Sequence, residues 1–116
     1  MKRKFIILAL FAALLGLSSC NSLQPSRPIL YVVNASDYSV EVYCDNLFVT
    51  AAGAHNNSGA ITLSNVSINL PVYVEMRYYD KNGNYAGNGK WENYYFRWDK
   101  TYKITVTNSG STITQL

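Results

Sequence analysis

The sequence has little of what enzymes most often use for chemistry. Its 116 residues include one histidine, two cysteines and seven acidic residues. The histidine, His55, stands in the polar segment 53–59, which is typical of a solvent-exposed loop. A structural zinc site needs about four nitrogen or sulfur ligands, more than one histidine and two cysteines provide. We therefore expect no metal site and no catalytic residues, so the protein is not expected to be an enzyme.

A surface charge of one sign is also missing. The formal net charge is +3, but three basic residues stand at positions 2–4, ahead of an apolar run. The remaining seven basic residues are balanced by seven acidic ones. Nucleic-acid binding normally requires a basic face, and electrostatic attraction to anionic lipid requires a basic cluster. No nucleic-acid partner is therefore expected, and the charges give no support to electrostatic binding of a lipid surface.

What the sequence does have is a secretory signal at its N-terminus. Residues 2–4 are basic, residues 5–17 are apolar apart from one glycine, and two serines follow. A positive start, an apolar run of roughly 7–15 residues and small residues at the cleavage site define such a signal. The run is shorter than the about 20 residues that span a bilayer. A cleaved signal peptide, residues 1–19, is therefore predicted rather than a transmembrane helix.

The end of the apolar run resembles the lipobox of bacterial lipoproteins. In Leu17-Ser18-Ser19-Cys20 an aliphatic residue and two small ones precede a cysteine. The resemblance implies that the Cys20 thiol receives a diacylglycerol and that cleavage then makes Cys20 the first residue. It also implies that the new amino group takes a further acyl chain, such as palmitate; two or more such signals anchor a protein stably to a membrane. Apart from this covalent lipid no cofactor is expected.

The residues after Cys20 bear on the location and on the domain boundary. The second mature residue is Asn21 rather than aspartate, which in the lipoprotein family favours the outer membrane over the inner one. Residues 20–28 are polar and contain two prolines, a composition typical of an extended tether. The sequence thus predicts a cell-envelope lipoprotein of the outer membrane, with a lipidated tether at 20–28 and a folded domain at 29–116.

Two short motifs are not expected to have the function that they resemble. The segment Asp80–Asn84 is similar to the start of a calcium loop, but an EF-hand loop needs glycine at its sixth position and glutamate at its twelfth. Here these positions hold Tyr85 and Trp91, so a hairpin turn is predicted instead. The triplet Asn34-Ala35-Ser36 matches the N-glycosylation sequon, which in a bacterial chain is taken as a coincidence.

The chain after residue 28 has the pattern of an all-β domain. Short segments alternate between apolar and polar residues and are separated by turn residues, which indicates strands. In the segment 38–44, Val40, Val42 and Cys44 share one side, so Cys44 is predicted to be a buried, inert thiol. About seven such strands predict a small antiparallel β-sandwich. Residues 84–90, rich in glycine and asparagine, fit either a short strand or a loop.

Two stretches resemble known sandwich families. The segment 96–106 (FRWDKTYKITV) resembles the corner between two strands of immunoglobulin-like domains, which implies that the Tyr102 hydroxyl bonds back to the corner. The hairpin from Val40 to Val49 is similar to those of transthyretin-like sandwiches of bacterial envelope proteins. The resemblances favour an immunoglobulin-like β-sandwich, and neither implies a catalytic residue or a ligand.

Aromatic residues are concentrated between residues 78 and 98. Alternation predicts that three of them point to the core, namely Tyr78, Tyr94 and Trp98. Four others are candidate binding residues: Tyr79, Tyr85, Trp91 and Tyr95. Exposed tyrosine and tryptophan suit protein interfaces and stacking on sugar rings, but they also fit ordinary packing between neighbouring strands.

These observations lead to two functional hypotheses. The first is a non-catalytic, lipid-anchored envelope protein whose sandwich acts as an interaction or structural module for an envelope protein. The alternative is a lipoprotein that binds carbohydrate or peptidoglycan through the four candidate aromatic residues of the 79–98 hairpin. In both hypotheses the lipid anchor attaches the protein to the membrane, so the membrane is an expected partner.

Overall fold

The computed structural model describes residues 24–116, which form eight strands in two facing sheets. The strands are β1 (Ile29–Asn34), β2 (Ser39–Cys44), β3 (Leu47–Ala52), β4 (Ile61–Thr62), β5 (Pro71–Tyr79), β6 (Tyr85–Tyr95), β7 (Thr101–Thr107) and β8 (Gly110–Gln115). One sheet has the order β4-β1-β7-β8 and the other β3-β2-β5-β6. The predicted all-β class and the small sandwich are confirmed, with eight strands instead of about seven. The predicted signal peptide and Cys20 lie outside the described residues.

Apolar alternation explains why the core lies between the sheets. Successive side chains of a strand point to opposite faces, and in β5 the side chains of Val72, Val74 and Met76 are fully buried while their neighbours are not. The same pattern in β2 buries Val40, Val42 and Cys44. Cys44 therefore lies in the core, as predicted.

No helix within residues 24–116 is long and apolar enough to cross a membrane.

One strand pair in the described part of the chain is parallel. Strand β1 lies between β4 and β7 and runs parallel to β7, with Ile29 opposite Thr101. Parallel neighbours require a long connection, and here strands β2 to β6 lie between the two in the chain. In constant-type immunoglobulin domains the first strand pairs with the second, in the sheet order ABED. The order found here differs from that type, and the transthyretin-like resemblance stays a prediction.

Residues 85–90 of the undecided segment 84–90 belong to the long strand β6. Gly89 leaves room on the inner face for a large neighbour, because a Cβ there would lie 3.4 Å from the Tyr78 hydroxyl oxygen and 3.1 Å from Ser111 Oγ. The Tyr78 hydroxyl donates a hydrogen bond to Ser111 Oγ at 2.8 Å. Since Tyr78 belongs to one sheet and Ser111 to the other, this bond joins the two sheets. Tyr78 packs against the core, as predicted.

The corner predicted at Tyr102 is present. Its side chain is fully buried, and its hydroxyl accepts a hydrogen bond from the backbone N–H of Arg97 at 2.9 Å. The same hydroxyl donates to Gln115 Oε1 at 3.2 Å. The ring packs edge-on against Phe96 with the ring centres 5.0 Å apart. The Tyr102 side chain thus fixes the connection between β6 and β7 to the end of β8.

The end of the predicted tether is docked on the sandwich. The Ser26 backbone N–H and side-chain hydroxyl both donate to Asp99 Oδ1, at 2.7 and 2.9 Å, and the Asp99 N–H donates back to the Ser26 carbonyl at 2.8 Å. Arg27 Nε donates to the Leu63 carbonyl at 2.6 Å. Pro28 is buried. Residues 26–28 therefore contact the sandwich, and the division of the chain at residue 29 stays a prediction.

Candidate functional site

The outward side of the second sheet carries a continuous set of aromatic and charged side chains. We call it the outer face; it consists of Glu41, Tyr43, Phe48, Tyr73, Glu75, Arg77, Tyr79, Tyr85, Asn88 and Lys90. Register brings them together: Glu41 lies opposite Arg77, and Tyr43 lies opposite Glu75. On the other side of β5, Arg77 lies opposite Asn88 and Glu75 opposite Lys90.

Arg77 is at the centre of the outer face. Its Nε donates to Glu75 Oε1 at 2.9 Å, and its guanidinium carbon lies 4.0 Å from the centre of the Tyr43 ring. Asn88 Nδ2 donates to the second oxygen of Glu75, also at 2.9 Å. The Tyr43 hydroxyl donates to Glu41 Oε1 at 2.9 Å. Stacking on an aromatic ring and a carboxylate partner both hold a guanidinium in a fixed position, so this surface is preorganised.

Hydrogen bonds on the outer face shift the pKa values of four of its groups. The hydrogen bond from Asn88, and then that from Arg77, lower the pKa of Glu75. The hydrogen bond to Glu75 raises the pKa of Arg77. Hydrogen bonds to Glu41 raise the pKa of both Tyr43 and Tyr79. All four shifts move away from neutral pH, so these groups keep their ordinary charge states there.

The rings of the outer face are paired at steep angles. Tyr43 and Phe48 have ring centres 5.8 Å apart and planes at 79°. Tyr79 and Tyr85 have centres 6.0 Å apart and planes at 77°. Both are edge-to-face contacts, the geometry that aromatic pairs prefer when they pack on each other. Phe48 and Tyr85 are each 58% exposed, so each pair still offers a ring to a partner.

The four candidate aromatic residues do not form one site. Tyr79 and Tyr85 are in contact on the outer face, but Trp91 lies opposite Val74 and packs against the core. Tyr95 is 50% exposed at the far end of β6, ten residues from Tyr85, which corresponds to roughly 30 Å of strand. Trp91 is therefore half-buried against the core and Tyr95 belongs to a different surface, while a binding role for these residues stays a prediction.

His55 has a partner that the sequence did not reveal. Its side chain is exposed, as expected, and Nε2 lies 2.6 Å from Asp37 Oδ1. Asn108 Nδ2 donates to the other oxygen of Asp37 at 3.0 Å, and the His55 contact is the main cause of a lowered Asp37 pKa. The pair joins two loops. Among residues 24–116 the His55 ring contacts no hydroxyl or thiol by a hydrogen bond, and no cluster of three metal-binding side chains occurs.

Cys44 is expected to resist thiol reagents in the folded protein. Burial raises its pKa to about 12, so at pH 8 about one thiol in ten thousand is ionised, and the thiolate is the reactive form. In the Cys20→Ser variant, where Cys44 is the remaining thiol, labelling at pH 8 should require denaturant. The additional substitution Ser39→Cys, at an exposed position of the same strand, is the positive control. Rapid labelling of Cys44 without denaturant would contradict its burial.

The fold and this face define a small all-β sandwich with a preorganised aromatic and charged surface. A scan against protein-family models, a search of curated proteins and a search of solved structures each gave no match for this chain.

Proposed function

We propose that this protein is a non-catalytic lipoprotein of the bacterial cell envelope whose sandwich binds a protein partner through the outer face. The lipobox-like segment Leu17–Cys20 supports the anchor and the envelope location. Asn21 supports the outer membrane. The lipid on Cys20 holds the domain at the membrane, and the outer face does the recognition.

The observation that carries the protein-partner proposal is the contact network around Arg77. Tyrosine, phenylalanine and arginine are enriched in protein interfaces, and rigid aromatic anchors lose little conformational entropy on binding. Here the guanidinium is held against the Tyr43 ring and the Glu75 carboxylate before any partner arrives. Binding of a partner therefore loses little further side-chain entropy, because these side chains are already ordered.

Ring geometry favours a protein over a polysaccharide. A sugar ring stacks best on rings that are coplanar or that face each other across a groove. The two pairs of the outer face instead lie at 77° and 79°, and Trp91 packs against the core. Binding of peptidoglycan or another glycan is therefore the alternative result that the experiment below would detect.

The test is photo-crosslinking in the native bacterium with the full chain. A benzophenone amino acid replaces Tyr85, one of the two most exposed rings of the outer face, and in a matched control it replaces Thr112, an exposed residue of β8 in the other sheet. We expect a discrete protein adduct from position 85 and none from position 112. The added substitution Arg77→Ala should reduce that adduct several-fold, because it removes the centre of the contact network.

Two results would overturn the proposal. One is an absence of protein adducts from position 85, or equal adducts from both positions. The other is retention of the purified chain on peptidoglycan or insoluble polysaccharide that Tyr85→Ala abolishes, which would replace the protein partner with a glycan.

A further inference from the structure

The exposed apolar side chains are concentrated at one end of the sandwich. Within residues 24–116, five of the seven large apolar side chains that remain exposed lie there: Ile29, Leu47, Leu70, Tyr95 and Leu116. At this end, which we call the anchor end, strands β1, β5 and β7 begin and strands β2, β6 and β8 end. Of the other two, Phe48 packs on Tyr43 on the outer face and Tyr85 packs on Tyr79 at the opposite end. Single exposed apolar residues need no explanation, but a cluster of them marks a contact surface.

Backbone contacts show that these residues share one end. The N–H of Asn69 donates to the Phe96 carbonyl at 2.8 Å, which places the loop before β5 beside the end of β6. The N–H of Leu116 donates to the Thr101 carbonyl at 2.8 Å. The N–H of Asp45 donates to the Tyr73 carbonyl at 2.8 Å, which fixes the β2–β3 turn beside the start of β5.

The chain also enters the domain at the anchor end. Ser26 is hydrogen-bonded to Asp99, and the guanidinium carbon of Arg27 lies 5.5 Å from the centre of the Trp98 ring. Cys20 is six residues before Ser26, a distance of at most about 22 Å even when fully extended. Strand β5, with nine residues, spans roughly 30 Å. A lipid on Cys20 therefore holds the anchor end within about 22 Å of the membrane surface, whereas the opposite end is free to lie farther away.

We infer that the anchor end rests on the lipid surface, with its apolar side chains in the headgroup layer. The inference rests on the proposed lipid anchor and adds an orientation: the sandwich stands end-on, and the outer face points sideways along the membrane. Tyrosine and tryptophan favour the membrane–water boundary, and arginine and lysine keep their charged groups in water above buried stems.

Apolar contact rather than charge carries this lipid contact. The loops of the anchor end contain three basic residues, Arg27, Arg97 and Lys100, and two acidic residues, Asp45 and Asp99. Their positive and negative charges are therefore nearly balanced. The orientation should therefore persist on vesicles of zwitterionic phosphatidylcholine and in high salt, where electrostatic binding is screened.

Tryptophan quenching by lipid measures the orientation. The full chain is purified from the bacterium and reconstituted into phosphatidylcholine vesicles with brominated acyl chains. In a background in which Trp91 and Trp98 are replaced by phenylalanine, a single tryptophan is placed at Leu70 on the anchor end or at Asn82 in the β5–β6 turn. We expect Leu70→Trp to lose most of its fluorescence and Asn82→Trp to keep it. If the background is unstable by circular dichroism, the same two tryptophans are added to the natural chain and the increments are compared.

The design separates failure of the anchor from failure of the orientation. Intact-mass measurement shows whether Cys20 carries lipid; if it does not, the proposed anchor fails. The same protein is then coupled through the Cys20 thiol to a maleimide phospholipid, and the quenching is measured as before. Equal quenching at both positions, quenching at Asn82→Trp alone, or no quenching at either position would overturn the end-on orientation.

Discussion

Replacement of Cys20 by serine should leave the protein as an unprocessed, lipid-free precursor. A serine hydroxyl does not take the place of the thiol that accepts diacylglycerol in the lipoprotein family, and cleavage in that family follows lipid attachment. The natural chain should therefore be found as residues 20–116 plus lipid, and the variant as residues 1–116 without it. Intact mass and incorporation of an alkyne-labelled fatty acid are the measurements. The expected effect is a complete loss of label.

The loss of lipid should also change the location of the protein. Buried acyl chains contribute about 0.8 kcal/mol per methylene, and two or more anchoring signals are needed for stable attachment. Without them the variant keeps its apolar segment 5–17 and should remain in the inner-membrane fraction instead of reaching the outer membrane.

Cys44 provides the matched control for the lipid label. Because its thiol is buried in the sandwich, the Cys44→Ser variant should be processed and labelled like the natural chain. A Cys20→Ser protein that is still cleaved after residue 19 would show that the N-terminus is an ordinary signal peptide, and the anchor would be lost from the proposal.

Alternation is clearest in the strands in which every second residue is apolar. β2, β5 and β7 have this pattern, and each buries its apolar side chains against the other sheet. The first half of β6 has glycines where apolar residues would be expected, and at Gly89 the Tyr78 side chain occupies the space that a larger residue would need. A strand whose inward positions are glycines has no apolar period, so sequence reasoning did not separate it from a loop.

The position of Trp91 was hidden by an irregularity in the register. Counting back from Tyr94, which packs inward, strict alternation would place Trp91 on the outer face. The β5–β6 register shifts between Val72 and Val74, and an extra residue in a strand reverses which side later residues face. Trp91 therefore turns inward. Nothing in the local sequence marks the shift.

The centre of the outer face depends on a contact that is distant in the chain. Alternation already placed Tyr43 and Arg77 on the polar sides of their strands. Their stacking requires β2 and β5 to be neighbours, although 34 residues separate the two side chains. Strand pairing at that distance is decided by the whole sandwich, which is why the sequence indicated the residues but not the site. The contacts at the end of the tether are equally distant in the chain, since Ser26 is hydrogen-bonded to Asp99.

Replacement of Asn34 by alanine should lower the free energy of unfolding by about 3–5 kcal/mol, since each buried polar group left without a partner costs about 1–3 kcal/mol. Asn34 is buried at the end of β1. Its Nδ2 donates to the carbonyls of Tyr38 and Gly53 at 2.7 and 2.9 Å. Its Oδ1 accepts from the Ser36 N–H at 3.0 Å and from the Ser36 hydroxyl at 2.6 Å. Alanine removes these four bonds and a fifth, longer one from Nδ2 to the Ala52 carbonyl at 3.3 Å, which denaturant unfolding would register as a lower midpoint.

Substitution by aspartate separates hydrogen bonding from shape at this position. Asn34→Asp keeps the size and one acceptor oxygen, but it replaces the donor with a second oxygen that faces two carbonyls and buries a charge. It should therefore destabilise the sandwich at least as much as alanine at pH 7. Asn65→Ala, at an exposed asparagine in a similar Asn-x-Ser triplet, is the control and should change stability by less than about 0.5 kcal/mol. If Asn34→Asp did not lower the stability, the hydrogen bonds donated to Tyr38 and Gly53 would contribute little to the free energy of unfolding. Side-chain volume alone would then hold β1 to the opposite sheet.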